Sequence, residues 1–394
     1  MNKNWKAPNI IIGPVADKDS YYNRSDIEED IFNKLKNGSV LLVAPRRVGK
    51  TSVMQYIAKQ PTENYKLIFE DIEGIKSADE FFERIYTLLL NCLDKMDKAK
   101  KWFINFMKKH SIIKISRDGI AFKTKPDDFL KEVEILLKEI NEKQAIENIV
   151  LLLDELPEVL FKINKTDNAG AVSILENLRH WRQQPEMNKK VKFVLAGSVG
   201  IHYVVEKIKT RTSDLNDLQH VECKPLSNNE AHKYIDWATQ NATVIYNSEQ
   251  KQYLLDKVQY FVPYSINILL NEISIQAQKV NNPKITTQSI DSAFNTVVKN
   301  NDHFKDWKER LQNYMPKADF DFVNEILIHT AHKERITVQE IYDKAVKHSK
   351  TADYMDFITD LEKDGYITEV DTQYRFMSPF LSAFWKRNNP IYNA

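Results

Sequence analysis

The stretch from Val40 to Ser52 constrains the fold more than any other part of the chain. Four apolar residues, Val40-Leu41-Leu42-Val43, run into Ala44-Pro45-Arg46-Arg47-Val48-Gly49-Lys50-Thr51-Ser52. An apolar run feeding a loop that ends in Gly-Lys-Thr predicts a strand, a phosphate-binding loop and a helix opening at the lysine. Backbone N–H groups of such a loop, with the positive end of the following helix, cradle phosphate oxygens. The lysine reaches the terminal phosphates and the hydroxyl ligates Mg²⁺, roles that fall to Lys50 and Thr51. Ala44 stands where the motif normally has a glycine to ease the turn, and alanine is the smallest replacement. The plain alternative is a strand–turn–helix that holds no nucleotide.

A second apolar run, Ile149-Val150-Leu151-Leu152-Leu153, ends in Asp154-Glu155. Continuous apolar runs of this length fit a strand buried on both faces of a parallel sheet. Acidic residues at its carboxyl end lie at the edge where α/β sheets bind ligands. There Asp154 would hold Mg²⁺, and Glu155, not needed for the metal, would polarise the water attacking a γ-phosphate. The bland alternative makes Asp154 a helix cap and Glu155 a surface charge. A third run, Val191 to Ala196, ends in Gly197-Ser198. Ser198 would then sense the γ-phosphate or orient the water, whereas a strand ending in Gly-Ser taken alone is commonly a plain turn.

The chain has 394 residues, 42% hydrophobic and 28% charged, with a net charge of +1. That length predicts two or three domains, and the charge gives no global field for nucleic acid. No run approaches the ~18 apolar residues of a membrane span. The first residues, Met1-Asn2-Lys3-Asn4-Trp5-Lys6, lack the apolar core of a secretory signal, and Cys92 and Cys223 stand alone. Cytoplasmic residence is the default expectation, with no disulfide framework or thiolate metal site. His329-x-x-His332 puts two imidazoles on one helix face, but with no third ligand in view it reads as packing or surface histidine.

Helical spacing runs from Asp26 to Lys36 and is ended by Gly38, giving a helix expected to pack beside the nucleotide. Lys66–Ile72 reads as a second strand, followed by a helix from Ser77 with Glu80 completing a capping box. Strand–helix alternation implies a parallel sheet with right-handed crossovers. Residues 95 to 125 carry ten Lys/Arg against two Asp, interleaved with Trp102, Phe103, Phe106 and Phe122. The segment reads as an amphipathic helix and a hairpin, Ile112–Ile115 and Ile120–Lys123, turning at Asp118-Gly119. It is either a solvated insertion whose aromatics pack on the core or a contact for a partner or single strand. From Ser227 onward helical periods dominate, at 230–240, 248–260, 264–280 and 287–299, as expected of a lid. Three short helices then follow, at 319–331, 337–347 and 351–364. A hairpin, Gly365–Thr368 with Gln373–Phe376, completes a winged-helix-like module. Residues 336 to 370 hold eight Asp/Glu against four Lys. That excess repels phosphates, which favours a protein-facing or intramolecular role over duplex readout. The expected architecture is thus α/β: a parallel-sheet core at 1–225, a helical lid at 226–300 and a winged-helix-like domain at 301–394.

Gly13-Pro14, Tyr22-Asn23-Arg24, Pro45 to Ser52, Asp154-Glu155-Leu156-Pro157-Glu158 and Gly197-Ser198 together resemble the archaeal-type P-loop ATPases of bacteria and archaea. These belong to the STAND branch related to AAA+ proteins. The likeness extends over nearly the whole chain, since that family also ends in a winged helix with a segment like Asp364-Gly365-Tyr366 to Arg375-Phe376. The resemblance implies ATP held by Pro45, Arg46, Arg47, Val48, Gly49, Lys50, Thr51 and Ser52, with Mg²⁺ on Thr51 and Asp154. Glu155, Lys50 and Ser198 would act on the γ-phosphate. The proline-containing turn Tyr260–Tyr264 falls where STAND proteins contact adenine, making Pro263 a nucleotide contact. AAA+ relatives often carry a basic residue in the next helix; Tyr264 to Gln278 has none, which favours a nucleotide switch over a fast ring motor. Arg211 is a candidate finger for a neighbouring subunit or a plain surface arginine, and Arg46 or Arg47 would steady phosphate or a flanking acid. The implied function is a slow regulatory ATPase answering to a protein partner or to self-association, with no membrane. A DNA-handling ATPase and a non-hydrolysing nucleotide-bound scaffold are the alternatives.

Overall fold

A computed structural model of the chain describes residues 5–16, 18–62, 65–116, 119–197, 201–209 and 213–392. Two compact units emerge, one of residues 24–44 and 50–223, the other of residues 1–23, 45–49 and 224–394.

The unit of residues 24–44 and 50–223 is a parallel sheet clothed in helices. Its strands are β1 (Val40–Val43), β2 (Tyr65–Asp71), β5 (Asn148–Asp154), β6 (Val191–Gly197) and β7 (Gln219–Glu222), with a separate hairpin of β3 (Ile112–Ser116) and β4 (Gly119–Phe122). The sheet order is β2-β5-β6-β1-β7, every pair parallel, so β1 and β5 end on the same edge, flanking β6. Leu41 and Leu42, Ile149 to Leu153 and Phe193 to Ala196 are all buried, as expected of central strands covered on both faces. Trp181, wholly buried in the helix Asn168–Gln183, stacks on Phe193 of β6 with 6.2 Å between centroids. The helix Ser25–Asn37 buries Ile27, Ile31 and Leu35, and the helix Lys50–Lys59 opens at the lysine. Ser77 caps the helix Ala78–Asp94 by accepting from Glu80 N at 3.2 Å. The Glu80 carboxylate, however, accepts from Lys76 N, one residue before the expected partner.

The basic insertion folds as the helix Lys100–Lys109 and the antiparallel β3/β4 hairpin; Asp118 of the expected turn lies outside the described residues. Phe103 and Phe106 are buried, Trp102 donates to Glu139 at 3.2 Å, and Phe122 packs against Phe129. The aromatics therefore serve the core.

In the other unit, the helices Asn228–Thr239, Ser248–Val258, Pro263–Lys279 and Thr287–Lys299 follow the sequence periods within two residues. Three of them begin with reciprocal caps, Ser227/Glu230, Asn247/Gln250 and Thr286/Ser289. The amino-terminal segment is laid onto these helices. Lys6 and Thr243 exchange backbone and side-chain hydrogen bonds, Asn9 N donates to Ala238 O at 2.7 Å, and Trp5 Nε1 donates to Ser274. Tyr22 packs edge-on against Tyr234 and Trp237.

The helix Lys305–Tyr314 comes next, then the helix Lys317–Lys333, β8 (Ile336–Thr337), the helices Val338–Lys347 and Tyr354–Lys363, β9 (Ile367–Val370) and β10 (Gln373–Phe376), and the closing helix Pro379–Asn388. The small sheet is antiparallel in the order β8-β10-β9. Phe294, Phe304, Phe380 and Phe384 interlock, so residues 226 to 385 share one hydrophobic core. His329 meets Tyr392 and Glu340, and His332 meets the Asn389 carbonyl, so both imidazoles are packing groups. Among the described residues no helix is long and apolar enough to cross a membrane.

Candidate functional site

Because β1 and β5 are parallel, the start of the helix Lys50–Lys59 and the end of β5 lie together. Lys50 Nζ sits 3.1 Å from Asp154 Oδ1 and 3.5 Å from Glu155 Oε1, while Thr51 Oγ1 donates to Asp154 Oδ2 at 2.5 Å. Glu155 N closes the set by donating to Asp154 Oδ1 at 3.0 Å. Asp154 is 1% exposed and Lys50 8%. A carboxylate this deeply buried is tolerable because an ammonium, a hydroxyl and a backbone N–H all point at it. Lys50, Thr51, Asp154 and Glu155, all named from the sequence, thus lie within hydrogen-bonding or ion-pair distance of one another.

Glu155 differs from its neighbours in two ways. Its side chain is 38% exposed, and its backbone is left-handed, φ 61° and ψ 33°, at the cap of the helix Leu156–Asn164. A non-glycine residue held there stores of order 1 kcal/mol of strain, a feature that gathers at working sites. Two residues on, Pro157 lies against Gly197 at the end of β6. A Cβ on Gly197 would stand 2.5 Å from Pro157 Cδ and nearer still to Cγ. Gly197 therefore fixes how closely the acidic loop approaches β6. Ser198, the expected γ-phosphate sensor, lies outside the described residues, as does Arg211.

Oxygen donors suit a hard cation such as Mg²⁺, and the Thr51 hydroxyl and Asp154 carboxylate are paired at bonding distance with an ammonium alongside. The residues present fit that group.

The loop residues Pro45 to Gly49 belong to the other unit. Val48 is buried, Gly49 takes φ 106°, which only glycine adopts easily, and Arg47 is itself left-handed at φ 65°. Both arginines reach Asp306 in the first turn of the helix Lys305–Tyr314. Arg46 Nη2 is 3.4 Å and Arg47 Nη2 3.0 Å from the same oxygen, Oδ2, and Arg46 Nη1 donates to the Asp306 carbonyl at 3.4 Å. Arg47 also lies over the Tyr264 ring, 3.9 Å from its centroid, and the Tyr264 hydroxyl meets His303 Nδ1 at 2.9 Å. Burial lowers the pKa of Arg46, and the neighbouring Arg310 and Arg47 add to the effect. Burial, then Arg47, likewise lowers that of His303. Pro263 opens the helix Pro263–Lys279 beside Tyr264 and is half-buried; Ser52 is half-buried in the first turn of the helix Lys50–Lys59.

Sequence reasoning missed Asp306, Tyr264 and His303. Asp306 lies 259 residues from Arg47, and no local pattern marks so distant a partner. Tyr264 was in view only as the residue after the turn proline.

The fold recurs among solved structures. The Walker-type ATPase of Pyrococcus abyssi is similar over 95% of this chain and 99% of its own, at 16% identity and a TM-score of 0.62. The ORC2 protein of Aeropyrum pernix, solved as ADPNP–ADP complexes, is similar over 98% of this chain and 96% of its own, at 10% identity and a TM-score of 0.52. No family model and no curated protein matches the sequence. Such identities speak for the fold alone: an α/β core built on a five-stranded parallel sheet, with a helical carboxyl-terminal region.

Proposed function

We propose that this chain binds ATP with Mg²⁺, hydrolyses it slowly, and couples its nucleotide state to contact with a protein partner or a second copy of itself. The observation that carries the reading is the buried Lys50–Asp154–Thr51 set with the strained, exposed Glu155 at its rim. In this reading the backbone of Pro45 to Ser52 cradles the phosphates and Lys50 turns from Asp154 to the terminal phosphates. Thr51 and Asp154 would hold Mg²⁺, which when bound would neutralise phosphate charge. Glu155 orients the attacking water and accepts its proton, and Pro263 contacts adenine. Ser198 is kept as the γ-phosphate sensor on its position after β6.

We also read the STAND affiliation, the division at about 225 and 300, the winged-helix character of the last module and residence in the cytoplasm as proposals. Supporting the winged helix is its order of helix, strand, two helices and hairpin. Against a DNA-handling role stand the buried Phe103 and Phe106, and lysines already occupied: Lys109 with Glu139, Lys125 with Glu83.

Phosphate release from ATP and Mg²⁺ by wild type and Glu155→Gln, each with and without duplex and single-stranded DNA, tests the reading. The expected result is slow wild-type turnover that falls by about 100-fold or more in the variant, as for loss of a general base. DNA should leave both rates unchanged. Equal rates in the two proteins would remove Glu155 from the mechanism, and wild type that binds ATP without turnover would favour the scaffold.

A further inference from the structure

Asp306 is a poor match for the two arginines it holds. One carboxylate oxygen serves both guanidinium groups, at 3.0 and 3.4 Å, where a well-made arginine pair is bidentate at 2.7 to 2.9 Å. Arg47 Nη1 is buried with no hydrogen-bond partner among the described residues. Two guanidinium groups, those of Arg46 and Arg47, thus share the single Asp306 carboxylate. Such a cluster fits an anion with more oxygens than Asp306 offers, and a phosphoryl group has three. The cluster sits on the phosphate loop itself, and Tyr264 braces Arg47 from one side so that its fork stays aimed. Asp306 meanwhile is 44% exposed in the first turn of a helix, where the helix dipole favours a carboxylate and water can replace the arginines at little cost.

We propose that Arg46 and Arg47 form a site for the terminal phosphate of the nucleotide and that Asp306 is its exchangeable internal ligand. Phosphate and Asp306 then exclude each other on the guanidinium donors, so ATP frees the amino-terminal turn of the helix Lys305–Tyr314 and ADP leaves it latched. This rests on the nucleotide reading above and adds the element that reports nucleotide state. It also supplies, from the loop, the positive charge that the helix Pro263–Lys279 lacks near its start.

The test uses the full chain with Mg²⁺ and two probes, a non-hydrolysable ATP analogue and ADP. Affinities are measured for wild type, Asp306→Ala, Asp306→Asn and Arg47→Ala, alongside amide exchange of residues 305–314. A solvent-touched ion pair is worth up to about fivefold in an equilibrium constant, and two such pairs share Asp306. Both Asp306 variants should therefore bind the analogue about 3- to 20-fold more tightly than wild type, with ADP affinity unchanged. Arg47→Ala should lose the preference for analogue over ADP, and the analogue but not ADP should speed exchange in 305–314 of wild type. The latch is overturned if wild type binds both nucleotides yet neither Asp306 variant changes affinity and exchange in 305–314 ignores the analogue. Wild type that binds no nucleotide would instead overturn the nucleotide reading and the latch with it.

Discussion

Replacing Gly197 with alanine probes how tightly β6 holds the acidic loop. The new Cβ would lie 2.5 Å from Pro157 Cδ and nearer still to Cγ, and ordinary contact begins at 3.4 Å, so something must move by at least about 0.9 Å. A pyrrolidine ring has no rotamer by which to escape, and Pro157 is fixed in the first turn of its helix. Overpacking of this kind costs about 1–3 kcal/mol. Gly197 lies in a strand without positive φ, so alanine regains about 0.4–1 kcal/mol through the unfolded chain. The net loss is about 1–2 kcal/mol, which for a unit of roughly 200 residues lowers Tm by about 2–8 °C. The displaced ring is two residues from Glu155. On the catalytic role proposed for Glu155, a shift of about 1 Å loses on the order of 10²-fold in rate, so turnover should fall far more than nucleotide affinity. Scanning calorimetry and phosphate release on Gly197→Ala, Pro157→Ala and the double variant complete the cycle. Removing the ring should restore much of the Tm lost by Gly197→Ala. Additive effects in the double variant, or a single variant with wild-type Tm and turnover, would refute the packing argument.

Glu325 is gripped by His348, Lys347 and Lys344. Burial alone would raise its pKa, but the hydrogen bonds from His348 and Lys347 and the charge of Lys344 outweigh it and hold the carboxyl at about 2. A depressed carboxyl stabilises the fold above the unfolded value near 4.5 and loses that contribution as pH falls toward 2. Glu325→Gln should therefore cost on the order of 1–2 kcal/mol at pH 7, discounted for partial exposure, and the gap to wild type in urea unfolding should narrow below pH 4.5; a gap equally wide at pH 3.5 would refute the assignment. Burial pushes the Cys223 thiol up to about 11 and the Cys92 thiol up to about 12. Both should stay protonated at pH 8, so a thiol reagent should label the native chain far more slowly than the denatured one, and prompt labelling of either would count against the burial.

Much of this architecture could be read from residue order because the parallel sheet is written as unbroken apolar runs. Leu41, Leu151 and Phe193 sit in apolar runs too short for a typical helix and bounded by turn residues, which is what marks them as strands. The four helices from Asn228 to Lys299 were legible through their period and their caps. What escaped were features whose meaning lies in distant partners. β7, with only Val221 fully inward, carries too weak a pattern to be seen alone. The helix Lys305–Tyr314 buries just Trp307 and Leu311, and its most consequential residue faces a loop far away in sequence. The Glu80 cap slipped by one residue because its carboxylate satisfies a donor just outside the helix, a choice fixed by local geometry and not by residue type. Within the candidate site, the proximity of Lys50, Thr51, Asp154 and Glu155 was legible since each stands at or just beyond the carboxyl end of an apolar run that forms a strand of the one parallel sheet. Gly197 was visible only as the end of a strand, since its packing partner is a proline forty residues earlier.

The hydrogen bonds that tie Lys6 and Asn9 to Thr243 and Ala238 have a temporal side. During synthesis the partners that Trp5, Lys6 and Tyr22 find between 234 and 274 do not exist until the ribosome has moved on by about two hundred residues. At ~5–20 residues per second, the leading segment waits about 10–40 s while the parallel sheet is made and can close without it. Trp5, Ile10, Ile12 and Tyr22 spend that interval without the core they finally join. Residues 5–22 are thus placed long after they are made, and chaperone capture of nascent chains at this segment should persist until the helices Asn228–Thr239 and Pro263–Lys279 emerge.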